Sequence, residues 1–250
     1  MNWFPVWHRN YLVWKKLALP SILGNLADPL LYMLGLGYGL GQFLGDIKGV
    51  PYLNFLAAGT LAYSVMNAAT FETLYSSFSR MHVQKTWDAI LNTPLSLTDV
   101  LVGEWLWAAS KSLLSGLAIL AVIWGLGLYT DFALTLWLLP VILLTGLCFA
   151  GLGLMVNSVA PNYDFFMYYF TLVITPMVLL SGVFYPPDAL PAWLAGFAAV
   201  LPLTHAIELA RPLALGSAPP LPLLHGAVLL AYGLGGFAIG LVLTRRRLLR

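Results

Sequence analysis

The chain has 250 residues, 60% of them hydrophobic and 9% charged, with a formal net charge of +2 and a mean hydropathy of +0.84. A soluble domain carries about 25% charged residues to keep its surface wet, and 12 Lys+Arg with 10 Asp+Glu cannot do so. The balance excludes a soluble enzyme, a nucleic-acid binder and a disordered chain, and leaves an integral membrane protein. The single cysteine, Cys148, lies in an apolar run, so neither an intramolecular disulfide nor a cysteine-rich metal site is expected. His8, Arg9, Lys15 and Lys16 interrupt the N-terminal stretch, which argues against a cleaved leader.

In chain order, residues 2–16 (NWFPVWHRNYLVWKK) come first. Trp3, Trp7, Tyr11 and Trp14 recur at spacings of four, four and three, on one helical face. The basic residues fall largely elsewhere. This pattern predicts an interfacial amphipathic helix over 1–16, anchored by aromatic rings at headgroup depth. Its sharper reading is a lever touching a cytoplasmic partner.

A bilayer core about 30 Å thick takes roughly 20 apolar helical residues to cross. Six spans follow, at roughly 21–44, 53–71, 104–128, 134–157, 165–184 and 221–243. The apolar window 189–207 contains Pro191 and Pro202 and follows Pro186-Pro187. Only about ten residues between those prolines can be uninterrupted helix, half a bilayer in length. A short re-entrant hairpin on the outer side, within 185–216, is therefore expected. With six spans and the N-terminus inside, Arg9, Lys15, Lys16, Arg80, Lys85, Lys111, Arg245, Arg246, Arg247 and Arg250 are cytoplasmic, against Lys48 and Arg211 outside. A seventh span would separate the C-terminal arginines from the N-terminal cluster. The positive-inside bias favours six, with both termini cytoplasmic.

Gly35/Gly39, Gly37/Gly41 and Gly41/Gly45 in the first span, and Gly236/Gly240 in the last, are small-xxx-small pairs that allow close helix approach. Asp28, beside Pro29, is an acid inside an apolar run: a functional candidate, or a helix-start cap. Tyr63, Asn67 and Thr70 share a face of the second span. Phe166, Tyr169 and Phe170 open an aromatic stripe in the fifth. Packing is the commoner fate of such stripes, but the polar residues among them suit a substrate path.

Residues 72–99 form the one sizeable polar stretch. A simple connection needs about four residues, so this cytoplasmic segment is built to touch something, lipid being the simplest alternative. Phe78, Met81 and Trp87 supply a groove-filling anchor; Arg80, His82, Lys85 and Asp88 supply orientation. Ser96 and Asp99 read as the capping box of the next helix. Glu104 and Lys111, two turns apart, either pair or leave Lys111 to snorkel.

No GxxxxGK[ST], GxSxG, HExxH or CxxC motif occurs, so no nucleotide, catalytic or metal site is expected in this chain. His205 and Glu208 lie three apart. With Asp28 they would serve an alternative reading, an intramembrane enzyme acting on a lipid-linked substrate. A scaffold without transport is the third.

The stretch from Ile174 to Arg211 resembles the signature of type-2 ABC exporter permeases. It has Ser181 after an apolar run, Leu190-Pro191, Pro202-Leu203-x-His205, and Arg211 closing five residues after Ala206. WDAILNTPLSLTD from Trp87 and LPLTHAIELARPL from Leu201 resemble the nodulation-factor exporter permease branch. The resemblance covers essentially the whole chain and implies an all-α polytopic fold forming one transmembrane domain over 1–250 in a bacterial inner membrane. It implies a second permease copy, a homodimer being expected, and a separate ABC ATPase subunit that carries ATP and Mg. Residues 72–99 then hold the coupling helix seated in an ATPase groove, and the second and fifth spans line the central path. Residues 185–216 form an outer gate that Pro202, His205, Glu208 and Arg211 hold shut, with a Glu208–Arg211 pair expected. The cargo implied is an amphiphile exported from the cytoplasm or inner leaflet: a lipo-oligosaccharide, lipid, polysaccharide or drug.

Overall fold

The computed structural model describes residues 2–248. Helix α1 (Phe4–Lys15) precedes α2 (Ala18–Gly39), which widens into a π turn at Tyr32–Leu36. A two-residue hairpin, β1 (Asp46–Ile47) and β2 (Val50–Pro51), leads into α3 (Tyr52–Phe71). Then come α4 (Thr86–Leu91), α5 (Leu97–Gly125), α6 (Phe132–Val159), α7 (Asp164–Leu180), α8 (Ala192–Ala198), α9 (Pro202–Ala214) and α10 (Pro222–Leu248). By length and apolarity four helices, α2, α5, α6 and α10, can cross a membrane. The pair α8–α9 passes the same test only as a broken span, bent by 86° at Pro202. The proline break expected from the sequence is therefore present, and the architecture is all-helical apart from the small hairpin.

Two boundaries differ from the sequence reading. The helix of α3 does not end at residue 71 but runs on through π turns at Glu72–Ser77 and Ser79–Val83. It stops at Lys85, whose left-handed φ of 53° no continuing helix tolerates. Helix α5 begins at Leu97, ahead of the apolar window at 104–128 and where the sequence places its capping box: Asp99 N donates to Ser96 Oγ (3.2 Å) and Ser96 N to Asp99 Oδ2 (3.0 Å). The span helices are thus extended beyond the apolar windows, and little of the polar stretch is loop.

Helices α6 and α10 cross backbone to backbone. A Cβ on Gly236 would lie 2.8 Å from Gly151 C, one on Gly240 3.0 Å from Met155 N, and one on Gly151 would strike Gly233 O. The Gly236/Gly240 pair acts as the sequence indicates. The glycines of the first span do not: Gly35, Gly39 and Gly45 face open space, Gly41 makes an ordinary contact with Tyr52, and Gly37 is close-packed against Leu53. The register also orients the helices. Gly226 meets Leu144, Gly240 meets Met155, and Arg247 Nη1 donates to Ala160 O (2.8 Å). Both indices rise together, so α6 and α10 run parallel.

The opposite sides of Gly236 provide a test. Gly236→Val must force α10 off α6, an overpacking cost of about 1–3 kcal/mol, whereas Gly235 faces open space. Thermal unfolding in detergent should show a lowered midpoint for Gly236→Val and an unchanged one for Gly235→Val.

Candidate coupling site and substrate groove

Three constellations stand out. The first lies where α1, the extension of α3 and the start of α5 meet. Glu72 and Arg80 come from the α3 extension, Glu104 and Lys111 from α5, and all four are buried or nearly so. Arg80 Nε donates to Glu104 Oε1 (2.9 Å), and its Nη2 bridges Glu72 Oε1 (2.8 Å) and Glu104 Oε2 (2.5 Å). Lys111 Nζ donates to Glu72 Oε2 at 2.7 Å. Two indoles complete the carboxylate shells: Trp107 Nε1 donates to Glu72 Oε1 (2.9 Å) and Trp87 Nε1 to Glu104 Oε1 (3.2 Å). Two anions balance two cations. Burial works to discharge Arg80, but Glu104 and Glu72 outweigh it and hold the guanidinium's pKa above its ordinary value.

This hub was not legible as such in the sequence. Glu104 and Lys111 neither pair with each other nor leave Lys111 free; each takes a partner from the α3 extension. The available signal was that Glu72 and Glu104 border apolar runs, where acids persist only if paired. The coupling residues also divide differently. Phe78, Met81 and Trp87 are buried within the protein's own cluster with Leu74, Leu101 and Phe166, so they cannot fill a partner's groove. Arg80 is a hub member, not a rim charge. Val83, Lys85 and Asp88 remain exposed, and the half-buried His82 ring lies tilted against Phe78 at 4.3 Å.

The aromatic stripe of α1 packs around Trp107. Trp7, Tyr11 and Trp14 meet that indole edge-on at 6.2, 6.4 and 5.9 Å, and Trp7 Nε1 donates to Ser110 Oγ (3.0 Å). Trp3 extends the stripe beside Phe4. All four are half-buried, while Phe4, Leu12 and Val13 face outward.

The second constellation is a groove of about 310 Å³ between α2, α3 and α7. Of the six path residues expected, Tyr63, Asn67 and Phe170 line it, with Asp28, Tyr32, Phe71, Thr175 and Phe184. Thr70 and Phe166 are buried in packing, and Tyr169 lines a separate apolar surface groove with Met155 and Leu172. An α-helical face wider than its spacing suggested separates these neighbours.

The third is the outer segment. Arg211 does not pair with Glu208. Its Nη2 donates to Gly182 O (2.6 Å) and its guanidinium lies 3.7 Å over the Phe55 ring. Gly182 adopts φ 85°, a turn that glycine accommodates. His205 Nδ1 meets His225 Nδ1 at 2.7 Å, tying α9 to α10. Pro202 is buried at the bend, and Glu208 is half-buried. His205 thus faces a second imidazole, and no acid–base pair with Glu208 is assembled. Among the described residues no group of three or more His, Cys, Asp or Glu could hold a metal.

The ABC-2 type transporter family model matches residues 3–215. The chain is 52% identical over 250 residues to Nodulation protein J of Rhizobium leguminosarum bv. viciae, covering 100% of this chain and 96% of the relative. It is 50% identical over 248 residues to Nodulation protein J of Rhizobium meliloti (strain 1021), covering 99% and 94%. Identity to the inner membrane transport permease YadH of Escherichia coli (strain K12) is 25% over 208 residues, covering 82% and 78%. A helical membrane bundle with a charged hub under its polar extension is therefore a member of the ABC-2 type transporter family, the transmembrane permease subunit of an ABC exporter whose ATPase is a separate subunit.

Proposed function

We propose that this permease crosses a bacterial inner membrane six times, with both termini cytoplasmic, and pairs with a second copy to export an amphipathic substrate. The parallel course of α6 and α10 supports the count. From the end of α6 the chain must return across the membrane an odd number of times before α10 starts, and α7 supplies one passage. The bent pair α8–α9 then adds no net crossing, as a re-entrant outer segment over 185–216 would not. ATP and Mg belong to the partner ATPase, and this chain supplies no catalytic group. Helix α1 lies at the cytoplasmic interface, its Trp3, Trp7, Tyr11 and Trp14 stripe holding it to the bundle and Phe4, Leu12 and Val13 meeting lipid.

The observation that carries the coupling reading is the buried hub. In this reading the ATPase touches the exposed residues Val83, Gln84, Lys85 and Asp88. Phe78, Met81 and Trp87 fix that segment to its own bundle, and His82 packs against Phe78 beneath it. Displacement passes through Trp87 and Arg80 to Glu104 on α5 and Glu72 on the α3 extension. A flexible contact would dissipate a push; a bidentate guanidinium with two carboxylates transmits it in register. At the outer end, Arg211 clamps the Gly182 turn, while His205 bonded to His225, and Pro202 at the bend, set the position of α9. Glu208 is left to face the outer surface.

Two variants test the hub. Glu104→Gln leaves Arg80 under-compensated, and losing one member of a buried pair costs about 3–5 kcal/mol. Trp87→Phe keeps the packing but removes one donor to a charged acceptor, about 1.5–3 kcal/mol. In the reconstituted complex both should lower substrate moved per ATP hydrolysed while the ATPase still binds. Wild-type stoichiometry in both would remove the hub from transmission.

For the path, Tyr63→Ala and Asn67→Ala should change substrate-stimulated ATPase activity severalfold at normal membrane abundance. Thr70→Ala and Phe166→Ala should instead act through stability, Phe166→Ala by about 3–5 kcal/mol. Stimulation unaffected by the first two variants would exclude this groove.

A further inference from the structure

The groove between α2, α3 and α7 has a composition that transport of an amphiphile alone does not explain. Its wall carries one carboxylate, Asp28, and five aromatic rings: Tyr32, Tyr63, Phe71, Phe170 and Phe184. Asn67 and Thr175 are neutral, and among the described residues no lysine, arginine or histidine lines it. Tyr32 meets Tyr63 and Phe184 edge-on at 5.8 and 5.6 Å, and Phe71 lies 4.9 Å from Phe170. The rings therefore form adjoining walls.

Asp28 sits well inside α2, an apolar helix long enough to span. The ion pairs among the described residues join Lys48 to Asp188, Lys85 to Asp88, and the four hub residues; none takes Asp28. Asp28 is exposed on that helix, and an acid within an apolar span marks function by default. Aromatic faces carry negative potential, so these rings add to the field of the carboxylate. An anionic head would be repelled. A neutral polyhydroxyl head could hydrogen-bond Asp28 but would leave its charge unbalanced. The backbone agrees that this region is specialised. All three helices form π turns at or next to the groove, at Tyr32–Leu36, directly after Phe71, and at Phe170–Ile174.

We propose that this groove binds the ammonium head of a cationic or zwitterionic amphiphile, with Asp28 as counter-ion and the five rings as its cage. The apolar chain leaves along Ile174, Val178 and Leu179, which continue the same wall. The proposal rests on the reading of this groove as the substrate path and narrows the cargo chemistry that path takes. The ammonium can come from a free amphiphile or from a lipid headgroup.

The test uses the permease–ATPase complex in nanodiscs of phosphatidylglycerol, which has no amine. Binding and ATPase stimulation are measured with decyltrimethylammonium, decyl maltoside and decyl sulfate, each below its micelle concentration. The ammonium should bind on the order of tenfold more tightly than the maltoside, and the sulfate more weakly still. Asp28→Asn should abolish that preference and Asp28→Glu should keep it. Replacing half the lipid by phosphatidylcholine separates the sources. Weaker ammonium binding in the wild type, absent in Asp28→Asn, assigns the site to lipid headgroups; unchanged binding assigns it to the free amphiphile. Equal affinity for ammonium and maltoside, or a preference that survives Asp28→Asn, overturns the proposal. If Tyr63→Ala and Phe170→Ala reduce maltoside stimulation while no ammonium preference exists, the path reading stands and the ammonium assignment alone falls. If they alter neither amphiphile's effect, the path reading falls with it.

Discussion

Four charges, buried or nearly so, tie the extension of α3 to α5 at one end of the bundle, beside the apolar packing of the same two helices. Glu72 and Arg80 ride on the extension of α3, Glu104 and Lys111 on α5, and the indoles of Trp87 and Trp107 close the remaining carboxylate sites. In a low-dielectric setting no member can be removed without leaving another uncompensated. The cluster therefore behaves as one unit. It forces the α3 extension to stay helical past the apolar window, seats Trp87 inward, and gives α1 its docking surface around Trp107.

That constraint also decides which surface remains for a partner. With Phe78, Met81 and Trp87 committed to the protein's own core, the exposed tip is short and consists of Val83, Gln84, Lys85 and Asp88. A short rigid tip on a charged hub is mechanically different from a mobile loop with a hydrophobic anchor. On the coupling proposed above, force would pass through ion pairs and helix axes and not through a side chain lodged elsewhere.

Toward the hub end, glycines 151, 233, 236 and 240 let α6 and α10 touch main chain to main chain, with Trp105 stacked on Phe237 beside them. The opposite end is built from single polar contacts. Arg211 reaches a carbonyl and a ring, and two histidines share a hydrogen bond. Between the ends, the groove concentrates the aromatic and polar residues of α2, α3 and α7 beside their π turns.

The sequence by itself determined the class and much of the outline. Too few charges to wet a surface, the prolines around residue 202, the Ser96–Asp99 box and the Gly236/Gly240 spacing are local properties, and the structure honours each; of the six apolar runs expected to span, four form helices long and apolar enough to do so. The pairing of charges is not local. Glu72 finds Arg80 eight residues away and Lys111 thirty-nine away, and Arg211 turns from the nearby Glu208 to Gly182. Likewise Tyr63 lines the groove and Thr70, on the same face by spacing, does not. Helical periodicity says which residues share a face, but only the packed neighbours determine whether that face meets a core, a cavity or a partner's charge.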